Sequence, residues 1–101
     1  MKECCRKYLD EQFGDDEIVK EIYNEYVASA HEKIAEAGAT LAAGDWAQLD
    51  KVAHTGKGNA LAAGDEAMAQ TAISLRKAAA LKDSAESTTL LERMKALEAE
   101  L

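Results

Sequence analysis

Leu41-Ala42-Ala43-Gly44-Asp45 occurs a second time as Leu61-Ala62-Ala63-Gly64-Asp65, and the reading of this phrase decides the fold. Five residues are too few for a structural repeat unit, so no solenoid follows. The phrase reads instead as helix punctuation used twice. Glycine suits the position just past a helix end, where the backbone turns left-handed. Aspartate suits the residue that opens the next helix, where its carboxylate accepts otherwise unpaired amide hydrogens. Gln48 follows Asp45 by three positions, the spacing of a capping box. Gly14-Asp15 gives the same stop-and-start signal upstream, and Asp83 with Glu86 gives the start signal downstream.

Working outward, these signals divide the chain into helices over about 2 to 12, 16 to 43, 46 to 63, 66 to 82 and 84 to 100. The long second helix carries Ile18, Ile22, Tyr26, Val27, Ala30, Ile34 and Leu41 on one stripe. Gly38 falls on that stripe one turn after Ile34, where it would let another helix approach closely. Met68, Thr71, Ala72, Leu75 and Ala79 form the inward face of the fourth helix. Leu90, Met94, Leu97 and Leu101 form that of the fifth. Connections this short make consecutive long helices antiparallel. No run alternates as a strand would. The expected fold is all-α: an antiparallel up-down-up-down four-helix bundle, with a short additional N-terminal helix over one end.

Composition agrees. The 101 residues suffice for a single domain over 1–101. Proline is absent, aromatics are 5% and apolar residues 48%, many of them alanine, which suits helices packed through small side chains. The net charge of −7 argues against nucleic-acid partners. The start Met1-Lys2-Glu3-Cys4-Cys5 lacks the apolar core of a signal peptide. No segment approaches the roughly 20 apolar residues of a membrane span. A cytoplasmic protein is expected. Cys4 and Cys5 are the only cysteines, and adjacent ones rarely bridge, so they read as free thiols of a reducing compartment. His31 has no companions at metal-ligand spacing, so neither a metal site nor a cofactor is expected.

The chemistry lies on the third helix. Leu49, Ala53, Gly56 and Ala60 share its core face, with Trp46, Val52 and Ala63 nearby. His54 lies about 130° from the centre of that face and projects toward solvent. Asp50, Lys57, Gly58 and Leu61 surround it at helical spacing. Imidazole is a good nucleophile near neutral pH because much of it is uncharged there. Lys57 and Lys51 place a small basic zone beside it, suited to phosphate. Gly58 costs the helix about 1 kcal/mol relative to alanine, and close approach by another protein would explain it. Leu61 is either covered by the fourth helix or part of an exposed docking patch. Trp46 reads as core packing or a staple at the helix start.

The run Ala53-His54-Thr55-Gly56-Lys57-Gly58-Asn59, followed by Gly64, resembles the histidine-containing phosphotransfer (Hpt) domains of two-component phosphorelays. In their motif a lysine and a glycine follow the histidine by three and four positions, and a second glycine follows it by ten. Ala42-Ala43-Gly44-Asp45-Trp46 and Phe13-Gly14-Asp15-Asp16 also look like this family. The resemblance extends over about residues 8 to 101. It implies that the distal ring nitrogen of His54 attacks the aspartyl phosphate of a receiver domain, or takes the group from a kinase, and later yields it to another receiver. The receiver would supply the acidic pocket and Mg²⁺, so this chain would be a carrier and not an enzyme. The resemblance also places a polar side chain of the fourth helix beside the histidine; the corresponding residue is Arg76. The expected partners are response-regulator receiver domains and hybrid sensor kinases, met by a monomer. Two other readings remain: an adaptor using the same surface without phosphotransfer, and a module of a larger sensor kinase. Met1 and a complete bundle favour a free-standing protein.

Gly56 departs from the family, which usually has leucine there. Because Gly56 faces the core, a neighbouring helix or a large side chain is expected to fill the space. Tyr23, Tyr26, Met68 and Trp46 are the candidates, the two tyrosines first, and Gly56→Leu should then overpack the core.

Overall fold

The computed structural model describes all 101 residues. Five helices and no strands make up the chain: α1 (Glu3–Phe13), α2 (Asp16–Ala42), α3 (Trp46–Ala63), α4 (Glu66–Ala80) and α5 (Ser84–Glu98). Helices α2 to α5 form the bundle, and the molecule is 42 Å in its longest dimension. The 27 residues of α2, at about 1.5 Å each, run its full length.

Both copies of the repeated phrase end a helix in the same way. Gly44 and Gly64 adopt left-handed backbone, with φ of 69° and 76°. The amide of Asp45 donates back to the carbonyl of Thr40 at 2.9 Å and that of Gly44 to Leu41 at 3.1 Å. Asp65 and Gly64 repeat the pair onto Ala60 and Leu61, at 2.9 and 3.2 Å. These are the two bonds of a Schellman stop. The same aspartates then open the next helix: Asp45 accepts from the Gln48 amide and Asp65 from the Met68 amide. The capping box at Asp45 is only half made, because its own amide is already committed to Thr40. A third stop closes α4 without glycine. Asp83 and Lys82 donate to Ala78 and Ala79, and Lys82 itself takes the left-handed position at φ 53°. The helix therefore ends at Ala80, two residues before the expected boundary.

The buried stripe of α2 is Val19, Tyr23, Tyr26, Ala30, Ile34 and Ala37. Ile18, expected inward, is instead 45% exposed. Two branched residues stand side by side there, and the packing of α1 and the other helices selects Val19. On α5, Leu91 is the buried residue and Leu90 only partly so. Leu91 fills the place that Gly38 leaves on α2: a Cβ there would lie 3.7 Å from its Cδ2. The expected close approach at Gly38 is thus made by α5.

The expectation for Gly56 fails. A Cβ built there meets nothing within 4 Å, and Gly56 is half-buried, not sealed in the core. Tyr26 and Met68 line the cleft beside it with Met94, but do not fill it. The cleft leaves about 10 Å³ for the centre of a water molecule, on the order of one water. Its rim is tied by the Asn59 amide donating to the Ser29 hydroxyl of α2. That polar contact supports the α2–α3 seam where the leucine is missing.

Helix α1 lies over the end where α3 passes into α4. Cys5 and Leu9 are fully buried, and a Cβ on Gly64 would collide with Tyr8. Beneath α1 sits Asp65, a carboxylate with no exposure at all. Besides capping α4, it accepts from the Tyr26 hydroxyl at 2.7 Å and pairs with the Lys2 ammonium at 3.0 Å. Burial, reinforced by Asp65, raises the Tyr26 phenol above its ordinary pKa. Burial and the neighbouring Cys4 push the Cys5 thiol up to about 12. Burial alone would lower the Lys2 amine, but the hydrogen bond and charge of Asp65 together leave it raised. The Tyr23 hydroxyl accepts from the Lys2 amide at 3.1 Å and donates to the Leu101 carbonyl at 3.0 Å. No helix is long and apolar enough to cross a membrane.

Candidate functional site

Helix α3 holds its core face through Leu49, Val52, Ala53, Ala60 and Ala63, all buried. That orientation leaves His54 exposed at mid-helix. Helix α4 buries Thr71, Ala72, Leu75, Ala78 and Ala79, which turns Arg76 toward the seam with α3. Arg76 reaches across it. One terminal nitrogen of its guanidinium lies 3.0 Å from Nδ1 of His54, and its Nε donates to Asp50 at 2.9 Å. Asp50 and His54 are one turn apart on α3, so a single arginine spans both. Arg76 is 36% and Asp50 43% exposed. No protein group bonds Nε2 of His54.

Below this cluster a groove of about 700 Å³ runs between α3 and α4. Lys57, Arg76, Lys77 and Lys82 line it, against the single carboxylate of Asp50, with Trp46 as its largest apolar wall. A surface this basic within a chain of net charge −7 is suited to an anionic or acidic counterpart. On the other side of His54, Gly58 is bare: a Cβ there would touch nothing within 4 Å. Leu61 is 47% exposed and borders a groove with Lys7, Tyr8 and Glu11 of α1.

The structure thus brings Arg76 onto the ring of His54 and Lys57 into the adjoining groove. Gly58 and Leu61 fall on the same exposed face of α3. Lys51 is exposed on α3 and makes no ion pair. Trp46 is partly buried against the core and also borders the groove. His31 lies far along α2, its Nδ1 2.9 Å from a carboxylate oxygen of Glu98 on α5. Sequence reasoning noticed Asp50 as a neighbour of His54 but gave it no part, and it left Lys77 and Lys82 out. The spacing of Asp50 and His54 was available as a signal; the reach of Arg76 from another helix was not.

The family model of the Hpt domain matches residues 21–101, beginning within α2 and including α3, His54 and the rest of the bundle. Helix α1 lies outside the match. No curated protein and no solved structure matches the chain. The chain belongs to the Hpt domain family, helical phosphocarrier modules that work with the receiver or kinase domains of two-component systems.

Proposed function

We propose that His54 is the phosphorylated residue, and that the chain accepts a phosphoryl group from a receiver-domain aspartate or a kinase and passes it to another receiver. The observation that carries this reading is an exposed imidazole on a rigid helix, touched by a guanidinium and flanked by an unobstructed surface at Gly58. Nε2 forms the bond to phosphorus as the P–O bond of the aspartyl phosphate breaks and its electrons return to the carboxylate. Arg76 and Lys57 offset charge on the phosphoryl oxygens, and Lys51 adds to the local basic field. Gly58 and Leu61 receive the partner, which supplies the acidic pocket and Mg²⁺.

The test is transfer from a phosphorylated receiver domain, giving an acid-labile, alkali-stable product on the chain. His54→Gln should keep the helical content and melting behaviour, since the side chain is exposed, and should accept no label. Label on that variant would overturn the assignment. A wild-type chain that binds receivers yet never takes label would be an adaptor.

A further inference from the structure

The contact between Arg76 and His54 constrains more than position. A guanidinium carries only hydrogen-bond donors. The ring nitrogen it faces at 3.0 Å, Nδ1, must therefore offer its lone pair. In a neutral imidazole the other nitrogen then holds the proton. With Arg76 in place, Nε2 is protonated and has no lone pair for attack, while Nδ1 has the lone pair but is covered. The resting geometry thus disfavours reaction at either nitrogen. Asp50 keeps it so, because its carboxylate holds the Nε of the same guanidinium at 2.9 Å.

We propose that Asp50 and Arg76 form a latch on His54, closed with the proton on Nε2 and opened when the guanidinium leaves Nδ1. This inference rests on the carrier reading for its purpose, though not for its first observable. Opening lets the ring proton reside on Nδ1 and frees the Nε2 lone pair. Nε2 then forms its bond to phosphorus, the bond from phosphorus to the donor breaks, and the leaving group departs with that electron pair. The trigger is the incoming phosphoryl group itself. Its oxygens compete with Asp50 for the guanidinium, and arginine takes phosphate through paired, charge-assisted hydrogen bonds. Asp50 is a positioning residue in this scheme. The latch keeps the carrier unreactive toward chance donors and yields to a docked partner.

Two measurements on the intact chain test this. Long-range ¹H–¹⁵N spectra report which nitrogen of the neutral His54 ring carries the proton, with His54→Gln separating its signals from those of His31. The wild type should be predominantly the Nε2–H form. Arg76→Gln should raise the Nδ1–H fraction severalfold, because an amide carbonyl can accept from Nδ1–H. Asp50→Ala should raise it less. The second measurement uses phosphoramidate, a small donor that needs no partner and loses ammonia as it phosphorylates. Asp50→Ala retains the arginine charge but loosens the latch, so His54 should be labelled severalfold faster than in the wild type. The same proton distribution in all three proteins would overturn the latch. So would labelling of Asp50→Ala no faster than wild type. If the spectra and labelling rates follow the prediction but no receiver transfers its phosphoryl group, the latch stands and the carrier reading fails.

Discussion

The Tyr26 hydroxyl donates to the Asp65 carboxylate at 2.7 Å, joining mid-α2 to the N-cap of α4 in the buried interior. A hydrogen bond to a buried charge is worth about 1.5 to 3 kcal/mol. Tyr26→Phe keeps the ring and removes the bond, so it should destabilise the fold by about 2 kcal/mol. The denaturation midpoint should fall at constant slope. An unchanged midpoint would mean that Lys2 and the Met68 amide already satisfy Asp65.

Alkaline pH should destabilise the fold. Cys5, Tyr26 and Lys2 all hold their protons more tightly in the folded chain than at their ordinary values. The unfolded chain therefore releases protons that the folded chain retains, and stability is lost as pH rises. Cys5 acts first, from its ordinary value of 9.0 toward about 12. The denaturant midpoint should be level below that range and decline within it. Cys5→Ala should be less stable throughout but should show a shallower early decline. An identical decline would remove Cys5 from the account.

Ser87 is fully buried and its hydroxyl has no hydrogen-bond partner. Such a group costs about 1 to 3 kcal/mol of desolvation. Ser87→Ala also improves helix propensity and should raise the unfolding midpoint by the equivalent of at least about 1 kcal/mol. A fall would reveal a bridging water whose loss outweighs both gains.

At Gly56 the open cleft reverses the expectation drawn from sequence. Alanine there adds a Cβ into free space and gains about 1 kcal/mol of helix propensity. Gly56→Ala should therefore melt higher, by roughly 4 to 8 °C for a domain of this size. Gly56→Leu should gain less than Gly56→Ala, since the cleft has room for about one water and the longer side chain must push against Tyr26, Met68 and Met94. Lower melting in both variants would show that the α2–α3 seam closes on this glycine in solution.

Gly58→Glu should fold at least as well as wild type, because the site is open and glutamate is the better helix former. It should weaken binding to a receiver domain through both bulk and charge, with Gly58→Ala intermediate. Equal affinities in a titration would move the docking face away from Gly58.

Local chemistry made the helix boundaries legible. Asp15, Asp45, Asp65 and Asp83 each cap the helix they precede through their own carboxylates, and that bond needs only neighbouring residues. The exposure of His54 followed equally from the periodicity of α3. Choices between adjacent apolar residues did not follow. Ile18 or Val19, and Leu90 or Leu91, are equivalent until a partner helix is in place. The left-handed Lys82 was hidden because no glycine marked the turn. The hold of Asp50 on Arg76 was hidden too, since it depends on the rotation of α4 against α3, over 26 residues of separation. Asp65 was legible as a cap but not as the buried partner of Lys2, 63 positions away.

The tyrosine that bonds both the Lys2 amide and the Leu101 carbonyl turns the polypeptide into a nearly closed ring. Where the ring is opened should matter little to packing, because every helix keeps its neighbours. A permuted chain, with residues 101 and 1 joined by a short flexible linker and new ends cut at the exposed Leu81-Lys82 turn, should reach the same bundle. In it the stretch from α5 through α1 to α2 becomes continuous. Contacts that span nearly the whole sequence in the native order, such as Tyr23 with Leu101, become comparatively local. The cut in turn makes α4 and α5, neighbours in the native order and extensively packed together, the most distant pair in sequence, so the permutant should reach the bundle more slowly.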